Sequence, residues 1–405
     1  MAKTTHLIHH PYLPPEGFVA PQFPTYKAST VIFPNVSAMR SRDWKQKNGY
    51  TYGLHGTPSS FTLEERVASV EGATFCQLVP SGLAAIALVN LSILKSGDEV
   101  LIPSNAYAPN LAFAQGELSR YGITYQTYDA MSVEDLAQKL NSRSRLVWIE
   151  APGSVTMEFP DIESIVLQCK QRGVLTALDN TWGAGLAFNA FDLNPQRSPS
   201  TEVLAVDISI QALTKFASGG GDVLMGSICT TKETLSSQIK LTHMHLGLGV
   251  GANDVETVLR SLPSMKLRYT TQDATAKSLA TSLSLRPEIV QVLHPALQTS
   301  PGHSNWLKTC GQSGLAASIF SVIFKPEYSQ TQVDCFCDSL RYFKIGYSWG
   351  GQMSLVVPYD LGAIRPFQAI DSKLKMGHLV RLCIGLEDLE DLKLDLEQSL
   401  QNSFY

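Results

Sequence analysis

The chain has 405 residues, of which 44% are hydrophobic and 17% are charged, and its net charge is −4 at pH 7. This composition is typical of a globular protein with room for more than one domain, and it excludes a largely disordered chain. The sequence contains no cluster of Lys and Arg of the kind that binds a phosphate backbone or an anionic membrane. We therefore expect neither nucleic acid nor a membrane as a partner.

The N-terminal residues and the cysteines predict the compartment. Residues 1–10 contain no secretory apolar stretch, and the longest apolar segment, 83–94, is too short to span a bilayer. The seven cysteines have no Cys-x-x-Cys spacing, which argues against a disulfide framework and against a structural zinc site. These features predict a cytoplasmic protein with reduced thiols and no metal.

The first predicted element is an extended arm. Residues 1–60 are rich in proline, aromatic and hydroxyl-bearing side chains and show little periodicity, so we expect them to contact a partner rather than form a domain. A helix is expected next, with a capping box that begins at Thr62. Apolar residues at helical spacing, Leu63, Val67 and Val70, support this helix, and Gly72 is expected to end it.

Short apolar strands then alternate with helices. Strands are predicted at 76–79, 99–102, 146–149, 174–178, 203–207 and 223–225, and helices at 162–170 and in the segment that Ser81 and Gly82 open. Such alternation predicts a mostly parallel sheet covered on both faces by helices, with ligand groups at the carboxyl ends of the strands.

A second, smaller region is expected towards the C-terminus. A helical tract after Gly251 is predicted to end near Arg268, and mixed strand and helix signals begin at about residue 277. We therefore divide the chain into an arm at 1–60, a larger domain at 61–260 and a C-terminal domain at 261–405.

Asp179 directly follows the apolar strand predicted at 174–178, where a ligand crevice normally forms. A carboxylate there can pair with the ring nitrogen of pyridoxal 5'-phosphate (PLP), whose protonated ring accepts the electron pair left when a proton leaves the substrate's α-carbon. An aspartate in this position is also a common helix cap or turn residue. Asp179 alone therefore does not decide the chemistry.

Lys215 lies between the apolar segment 208–213 and the glycines at 219–221. An apolar setting removes water from the amine and lowers its pKa, which favours covalent attachment of an aldehyde cofactor and proton transfer. An isolated lysine is normally a solvated surface residue. Lys215 is nevertheless a candidate for the lysine that binds the cofactor, because the sequence also contains the other candidate residues.

Two further candidates also follow predicted strands. Ser81, Gly82 and Leu83 begin a helix, and the free amides and positive end of a helix form a phosphate site. Tyr107 is placed to stack on a cofactor ring, although packing in the core is the usual role of a tyrosine.

The order of these motifs resembles that of the PLP enzymes of Cys/Met metabolism, which have the aspartate-aminotransferase (type I) fold. The resemblance covers nearly the whole chain and rests on six segments, at 56–63, 80–83, 150–158, 207–215, 347–351 and 381–388. It implies an α/β protein with the PLP-dependent transferase fold, in which helices cover a mostly parallel sheet and a smaller α/β domain follows. By this resemblance, 61–260 is the PLP-binding domain and PLP is the cofactor.

The resemblance also implies roles for the cofactor-binding residues. Lys215 binds the cofactor covalently, Asp179 pairs with its ring nitrogen and Tyr107 stacks on the ring. The phosphate is expected to contact Ser81, the amides of Gly82 and Leu83, and the hydroxyl of Thr214.

The remaining implied residues concern the substrate and the assembly. Arg381 is expected to bind the substrate's α-carboxylate, which suits its planar fork of donors, and Ser348 and Trp349 line the same pocket. Tyr52 resembles a tyrosine that reaches the active site of a neighbouring subunit, so Tyr52 and Tyr107 are both expected to be catalytic, cofactor-binding and substrate-binding residues. A homodimer is then the minimum assembly, and a tetramer of two dimers is expected.

Three positions depart from the family pattern. Leu54 stands where many members have a phosphate-binding arginine, Ala212 lacks a frequent hydroxyl, and Met353 replaces an acidic residue. Protonated His55 is a candidate to replace the missing charge at Leu54, so it is included among the cofactor-binding residues. A turn histidine that faces solvent is the competing interpretation.

The activity implied by the resemblance is removal of a sulfur group from an amino-acid thioether. The leading expectation is β-elimination of L-cystathionine to homocysteine, pyruvate and ammonia, with Lys215 as the base. A γ-eliminating or γ-replacing enzyme and a general cysteine-S-conjugate β-lyase are the alternatives. A PLP-binding regulator without turnover is disfavoured by the complete set of Asp179, Lys215, Tyr107 and Arg381.

Overall fold

A computed structural model describes residues 3–8, 16–17, 20–44, 47, 49–360 and 374–405. The described residues before position 57 form only short elements, namely α1 (Lys3–Ile8), α2 (Val36–Arg40) and a 3-10 turn at Gly53–His55. An isolated bridge between Thr30 and Tyr52 joins two stretches of this arm.

Helix α3 (Pro58–Glu71) begins four residues before the predicted capping box. Thr57 and Ser60 form the capping box, and the proline at the first helical position has a φ that suits a helix start. The prediction of a cap at Thr62 was therefore wrong, and the Thr62 hydroxyl donates to the Pro58 carbonyl inside the helix. Gly72 ends α3 in the left-handed conformation, as predicted.

In the described part of the chain, seven strands form the larger sheet. They are β1 (Phe75–Val79), β2 (Glu99–Pro103), β3 (Thr124–Tyr128), β4 (Ser144–Glu150), β5 (Leu175–Asp179), β6 (Ile208–Ala212) and β7 (Gly226–Thr230). Their order is β1-β7-β6-β5-β4-β2-β3. Only β7 is antiparallel to its neighbours, which confirms the mostly parallel sheet.

Two predicted strands are displaced from the observed ones. Residues 203–206 and 223–225 lie outside the sheet, and β6 and β7 begin just after them. Leu204 and Val206 are nevertheless buried, because this segment pairs irregularly with residues 190–193. Burial explains the apolar pattern there without a strand.

Helices cover both faces of the larger sheet. They are α4 (Gly82–Ile93), α5 (Ala108–Phe113) with a π-helical turn at Ala114–Leu118, α6 (Val133–Lys139), α7 (Ile162–Arg172), α8 (Glu233–Leu246) and α9 (Ala252–Ser261). Along β4, Val147 and Ile149 belong to one hydrophobic cluster and Leu146 and Trp148 to another. This alternation means that each face of the sheet has its own core.

After a 3-10 turn at Leu262–Ser264, helix α10 (Met265–Leu283) leads to a second sheet. Its strands in the described residues are β8 (Ile289–Leu293), β9 (Ile319–Phe324), β10 (Lys344–Ile345), β11 (Leu355–Tyr359) and β12 (His378–Cys383), in the order β10-β11-β12-β9-β8. Helices α11 (His303–Cys310), α12 (Gln330–Ser339) and α13 (Leu389–Phe404) accompany them.

The second sheet has a separate hydrophobic cluster, which confirms a smaller C-terminal α/β unit. The proposed boundary at 60/61 falls inside α3 and the one at 260/261 falls at the end of α9. The domain limits remain a prediction. None of the helices in the described ranges is long and apolar enough to cross a bilayer.

Candidate active site

Asp179 is the last residue of β5, so its side chain leaves the sheet at the carboxyl end. Its Oδ1 accepts hydrogen bonds from the backbone N of Thr181 at 3.0 Å and from Thr181 Oγ1 at 2.5 Å. Thr181 Oγ1 also accepts from the N of Ala212 at 2.9 Å, which ties the carboxylate to the end of β6. Burial raises the pKa of Asp179, and the Thr181 hydrogen bonds and the charge of Lys215 oppose that rise.

The buried carboxylate of Glu71 holds the residues next to Asp179 in place. Asn180 Nδ2 donates to Glu71 Oε1 at 3.1 Å, and Ser209 and Gln211 on β6 also donate to Glu71, which is fully buried. The end of α3 is therefore joined to β6 and to the residue that follows β5. A buried carboxylate needs such a set of donors, and the set fixes the position of the neighbouring strand ends.

Lys215 lies three residues beyond β6 and faces the loop that precedes β11. Its Nζ donates to Ser348 Oγ at 2.7 Å and lies 5.5 Å from the centre of the Trp349 ring. The pKa of Lys215 falls from 10.5 to about 8, mainly because of burial and then because of the charge of Arg381. The amine therefore loses its proton much closer to neutral pH than a free lysine does.

The loop at 348–350 approaches Lys215 closely. Ser348 has a φ of 96°, which is uncommon for a residue with a side chain. Gly350 has a φ of 75°, and a Cβ added there would lie 3.3 Å from the Cβ of Lys215. Glycine at this position allows the loop to bring Ser348 and Trp349 against the amine.

Arg381 lies on β12 with only 7% of its surface exposed. Its guanidinium carbon is 5.2 Å from the centre of the Tyr359 ring, and within the described ranges no carboxylate forms an ion pair with it. A buried cation without an anion is costly, and a substrate carboxylate would relieve that cost. The charge of Arg381 also lowers the pKa of Lys215. We call Asp179, Lys215, Ser348, Trp349 and Arg381 the lysine pocket.

Tyr107 precedes α5 and is 43% exposed. Its backbone N donates to Glu150 Oε2 at 2.6 Å. Burial raises the pKa of the phenol, the charges of Asp179 and Glu150 raise it further, and Arg381 opposes them. Tyr107 therefore lies near the lysine pocket with a protonated hydroxyl at neutral pH.

The start of α4 fits a phosphate group. Ser81 caps the helix by accepting from the N of Ala84 at 3.0 Å, whereas the amides of Gly82 and Leu83 have no acceptor among the described residues. A Cβ at Gly82 would lie 2.7 Å from the Cβ of Ala212, so glycine lets the helix start reach the end of β6. Free amides at a helix start form an anion site beside Lys215 and Asp179, and this donor set fits PLP.

The Thr214 hydroxyl has partners already. It donates to the carbonyl of Met225 at 3.3 Å and accepts from the N of the same residue at 3.2 Å. These contacts hold the segment that carries Lys215 against the residue before β7. A contact between Thr214 and the cofactor phosphate remains a prediction.

Tyr52, Leu54 and His55 lie on a separate surface. Leu54 and His55 line a cleft of about 570 Å³ together with residues of α3, β1 and the segment 249–255, and we call it the arm cleft. Tyr52 is 46% exposed, and its hydroxyl accepts from Ser29. Within the part of the chain that the structure describes, they do not contact the lysine pocket, and the roles predicted for them in a neighbouring subunit remain a prediction.

His55 is held within the arm. Its Nδ1 is 2.8 Å from Thr51 Oγ1, and its ring centre is 5.6 Å from that of Trp44. Burial lowers the pKa of His55, and the charges of Lys240 and Arg42 lower it further. The imidazole in the single chain is therefore neutral near pH 7, and a positive charge there requires a nearby anion.

Two residues near the site were not predicted. Thr181 holds Asp179 by a hydrogen bond between residues i and i+2, and the Asp-Asn-Thr sequence is a turn signal that would have found it. Tyr359 contacts Arg381, but it stands at the end of an antiparallel strand and no local signal marks it.

Comparison with known proteins agrees with this geometry. A family model described as Cys/Met metabolism PLP-dependent enzyme matches residues 4–401. A cystathionine beta-lyase of Bordetella avium is 33% identical over 405 residues, covering 98% of this chain and 96% of the relative. An L-alanine/L-glutamate racemase of Wolbachia pipientis wMel is 32% identical over 388 residues, covering 93% and 91%.

The solved structure of a cystathionine gamma synthase from Xanthomonas oryzae pv. oryzae matches the fold with a TM-score of 0.86 at 25% identity, covering 100% of this chain and 98% of that one. The two sheets and their helices are therefore those of the type I PLP fold. With its fold, its lysine pocket and a family match over almost its whole length, the chain belongs to the PLP-dependent enzymes of Cys/Met metabolism.

Proposed function

We propose that the chain is a carbon–sulfur lyase that releases homocysteine from L-cystathionine by β-elimination, after which water hydrolyses the remaining aminoacrylate to pyruvate and ammonia. The observation that carries the proposal is the buried amine of Lys215, which donates to Ser348 Oγ at 2.7 Å and whose pKa is lowered to about 8 by burial and by the charge of Arg381. A base with such a pKa accepts a proton efficiently near neutral pH. Arg381 supplies a buried charge that suits an amino-acid carboxylate.

The residues of the pocket divide the work as follows. Arg381 binds the α-carboxylate and so holds the α-carbon near Lys215. PLP, when bound, supplies an electron sink for the pair left at that carbon. Lys215 Nζ accepts the α-proton, and the hydrogen bond with Ser348 Oγ keeps the amine in position. Asp179, whose carboxylate is held by Thr181, would provide the negative charge for the ring nitrogen of bound PLP.

Tyr107 is the candidate acid for the leaving sulfur. Its pKa is raised, first by burial, so the phenol keeps its proton at neutral pH and can donate it from Oη to a departing thiolate. Elimination at the β-carbon requires one proton donor for the leaving sulfur, in addition to the base that removes the α-proton. Tyr52 of a neighbouring subunit is proposed to contact the same substrate, because it is exposed and lies outside the lysine pocket of its own chain.

β-Elimination is preferred to γ-elimination on two grounds. The segments 107–109 and 150–154 resemble β-lyases, and a curated relative that covers nearly the whole chain is named a cystathionine beta-lyase. A general cysteine-S-conjugate β-lyase is the second candidate. Met353, which is 52% exposed, replaces a family carboxylate, so the chain lacks an acid there to pair with the distal ammonium group of cystathionine.

Product analysis tests the proposal. Purified protein reconstituted with PLP is incubated with L-cystathionine, and the expected products are pyruvate and homocysteine, with none formed by Lys215→Met. Formation of 2-oxobutyrate and cysteine would show γ-elimination instead. Equal kcat/KM for S-methyl-L-cysteine and L-cystathionine would favour the general lyase. Conversion of L-alanine to D-alanine without thiol release would indicate the reaction in the name of the Wolbachia relative.

A further inference from the structure

Tyr359 contacts Arg381, and the proposed function leaves it without a role. It ends β11, and Arg381 lies on the neighbouring strand β12. Val357 is directly opposite Arg381 in the antiparallel register, and Tyr359 is opposite Leu379. Tyr359 and Arg381 are therefore diagonal neighbours on the same face of the sheet, a spacing that aromatic and long side chains can bridge.

The contact with Tyr359 holds the guanidinium of Arg381 in place without pairing it with a negative charge. The guanidinium carbon lies 5.2 Å from the ring centre of Tyr359, within the range of a cation–π interaction. Burial raises the pKa of the Tyr359 phenol, and the charge of Arg381 and a hydrogen bond with it oppose that rise. The phenol is therefore neutral at pH 7 and adds no negative charge that would compete with a ligand for Arg381.

An acidic partner would act differently, because it would compete with the substrate for Arg381. Among the described residues none forms such an ion pair, so the aromatic ring is the main contact that fixes the guanidinium. A long arginine side chain loses rotamer entropy when it binds a carboxylate, and a partner that already orients the fork reduces that loss. Tyr359 also packs against the same hydrophobic cluster as Trp349, which holds the ring in place.

We infer that Tyr359 is a positioning residue that orients Arg381 for the α-carboxylate of the substrate and thereby sets the affinity of the site for amino acids. The inference rests on the role proposed for Arg381. It predicts an effect on substrate binding rather than on the chemical step, because Tyr359 acts through Arg381 and has no contact with Lys215 in the structure.

Two substitutions separate the ring from the hydroxyl. Tyr359→Leu removes both, and we expect KM for L-cystathionine to rise ~10-fold, as the loss of a buried cation–π contact implies. Tyr359→Phe keeps the ring and its contact with the guanidinium, and KM should rise by less than about 3-fold. In both variants kcat should change by less than about 2-fold, since uniform binding is what is lost. Tyr121→Leu, at an exposed tyrosine outside the site, is the matched control.

Calorimetric titration with propionate tests the same point without turnover. Propionate has a carboxylate but no amine, so it binds the holoenzyme without reacting. Its Kd should rise in Tyr359→Leu as KM does, and Arg381→Ala should abolish its binding.

Each result decides between the claims. If Arg381→Ala loses propionate but Tyr359→Leu binds it within 2-fold of wild type, the role of Tyr359 is refuted while that of Arg381 stands. If Arg381→Ala binds propionate normally, or the wild type binds none, Arg381 is not the carboxylate receptor and both claims fail. A fall in kcat at unchanged KM would also overturn the inference. Because propionate needs no lyase activity, the result is independent of whether cystathionine is the substrate.

Discussion

The lysine pocket and the arm cleft differ in whether the residues predicted to act there have partners within a single chain. In the lysine pocket, Lys215 has a partner in Ser348 and Asp179 has one in Thr181, and burial shifts both pKa values. In the arm, Tyr52 is exposed, and Leu54, which lines the arm cleft, lies against Gly249 of its own chain. One chain thus brings together the groups needed for proton transfer. The arm residues predicted to bind cofactor or substrate, by contrast, do not contact the lysine pocket of the same chain in the part that the structure describes. The predictions below test that division.

The largest effect is expected at Lys215. Lys215→Ala should lower turnover by roughly 10³-fold or more, because the covalent attachment point and the base are lost together. The visible absorbance band of the bound cofactor should disappear as well. Ser348→Ala is the control, because it removes only the hydrogen bond to the amine and should keep the band. A link to PLP that borohydride still reduces in Lys215→Ala would show that another residue carries the cofactor.

Subunit mixing tests whether the arm acts in another chain. Inactive Tyr52→Ala and inactive Lys215→Ala chains, refolded together at equal amounts, should recover about a quarter of wild-type activity, since half of the dimers are mixed and each has one complete site. The recovery requires Tyr52 of one chain to serve Lys215 of the other. Mass spectrometry of the intact dimers would establish mixing. Mixed dimers without activity would place Tyr52 in the site of its own chain.

A smaller effect concerns the stability of the apo-protein. The pKa of Lys215 is about 8 in the folded chain and 10.5 in its ordinary state, so the unfolded chain holds the proton over that range. The cost of the buried charge is complete below pH 8 and is lost as pH rises towards 10.5. The free energy of unfolding should therefore gain about 2 kcal/mol between pH 7.5 and pH 10, relative to Lys215→Met.

Urea unfolding of both apo-proteins at equal concentration measures this difference. Lys215→Met keeps most of the side-chain length without a charge, so titration of all other groups cancels between the two proteins. Equal pH dependence in both would mean that the Lys215 amine is hydrated in the apo-protein. The lysine pocket would then lack the burial that distinguishes it from the arm cleft.

Local signals in the sequence pointed to Asp179 and Lys215 of the lysine pocket and to the helix start at Ser81, whereas Ser348, Trp349 and Arg381 were predicted only from the resemblance to a family. Asp179 was found because an apolar strand ends there, and Ser81 because a helix start follows a strand. The capping box was misplaced because Thr57 and Thr62 both offer a cap, and the proline that decides between them was not weighed. The strand predicted at 203–207 failed because buried irregular segments share the apolar pattern of strands.

Contacts that depend on the register between paired strands could not be predicted from the sequence. Tyr359 meets Arg381 only because β11 and β12 pair in one register, and a shift of a single residue would turn one side chain to the other face. Ser348 is similar, because its contact with Lys215 joins residues 133 positions apart. The resemblance to a family suggested Ser348, but it gave no reason to consider Tyr359.

The smallest expected effect is at Leu54 and His55, and it tests the arm cleft alone. Leu54 stands where the resembling family has an arginine, and we predict that the phosphate of PLP in a neighbouring subunit therefore has one charge-assisted contact fewer. Leu54→Arg should tighten PLP binding by the apo-enzyme about 5-fold at alkaline pH, where an arginine remains charged. Leu54→Met, which adds no charge, is the matched control. Titration of each apo-protein with PLP, followed by the visible absorbance, measures the change.

His55 is the residue predicted to supply, in the wild type, the positive charge that is missing at Leu54. Its pKa is lowered in the single chain, first by burial, and a bound phosphate would raise it. If the histidine supplies the charge, PLP binding by the wild type is strong at low pH and weakens as pH rises through the raised value, and His55→Ala has a flatter curve. Leu54→Arg should flatten the curve too, because its charge does not titrate in this range. Parallel curves for wild type and His55→Ala would mean that the helix start at Gly82 and Leu83 holds the phosphate without the arm.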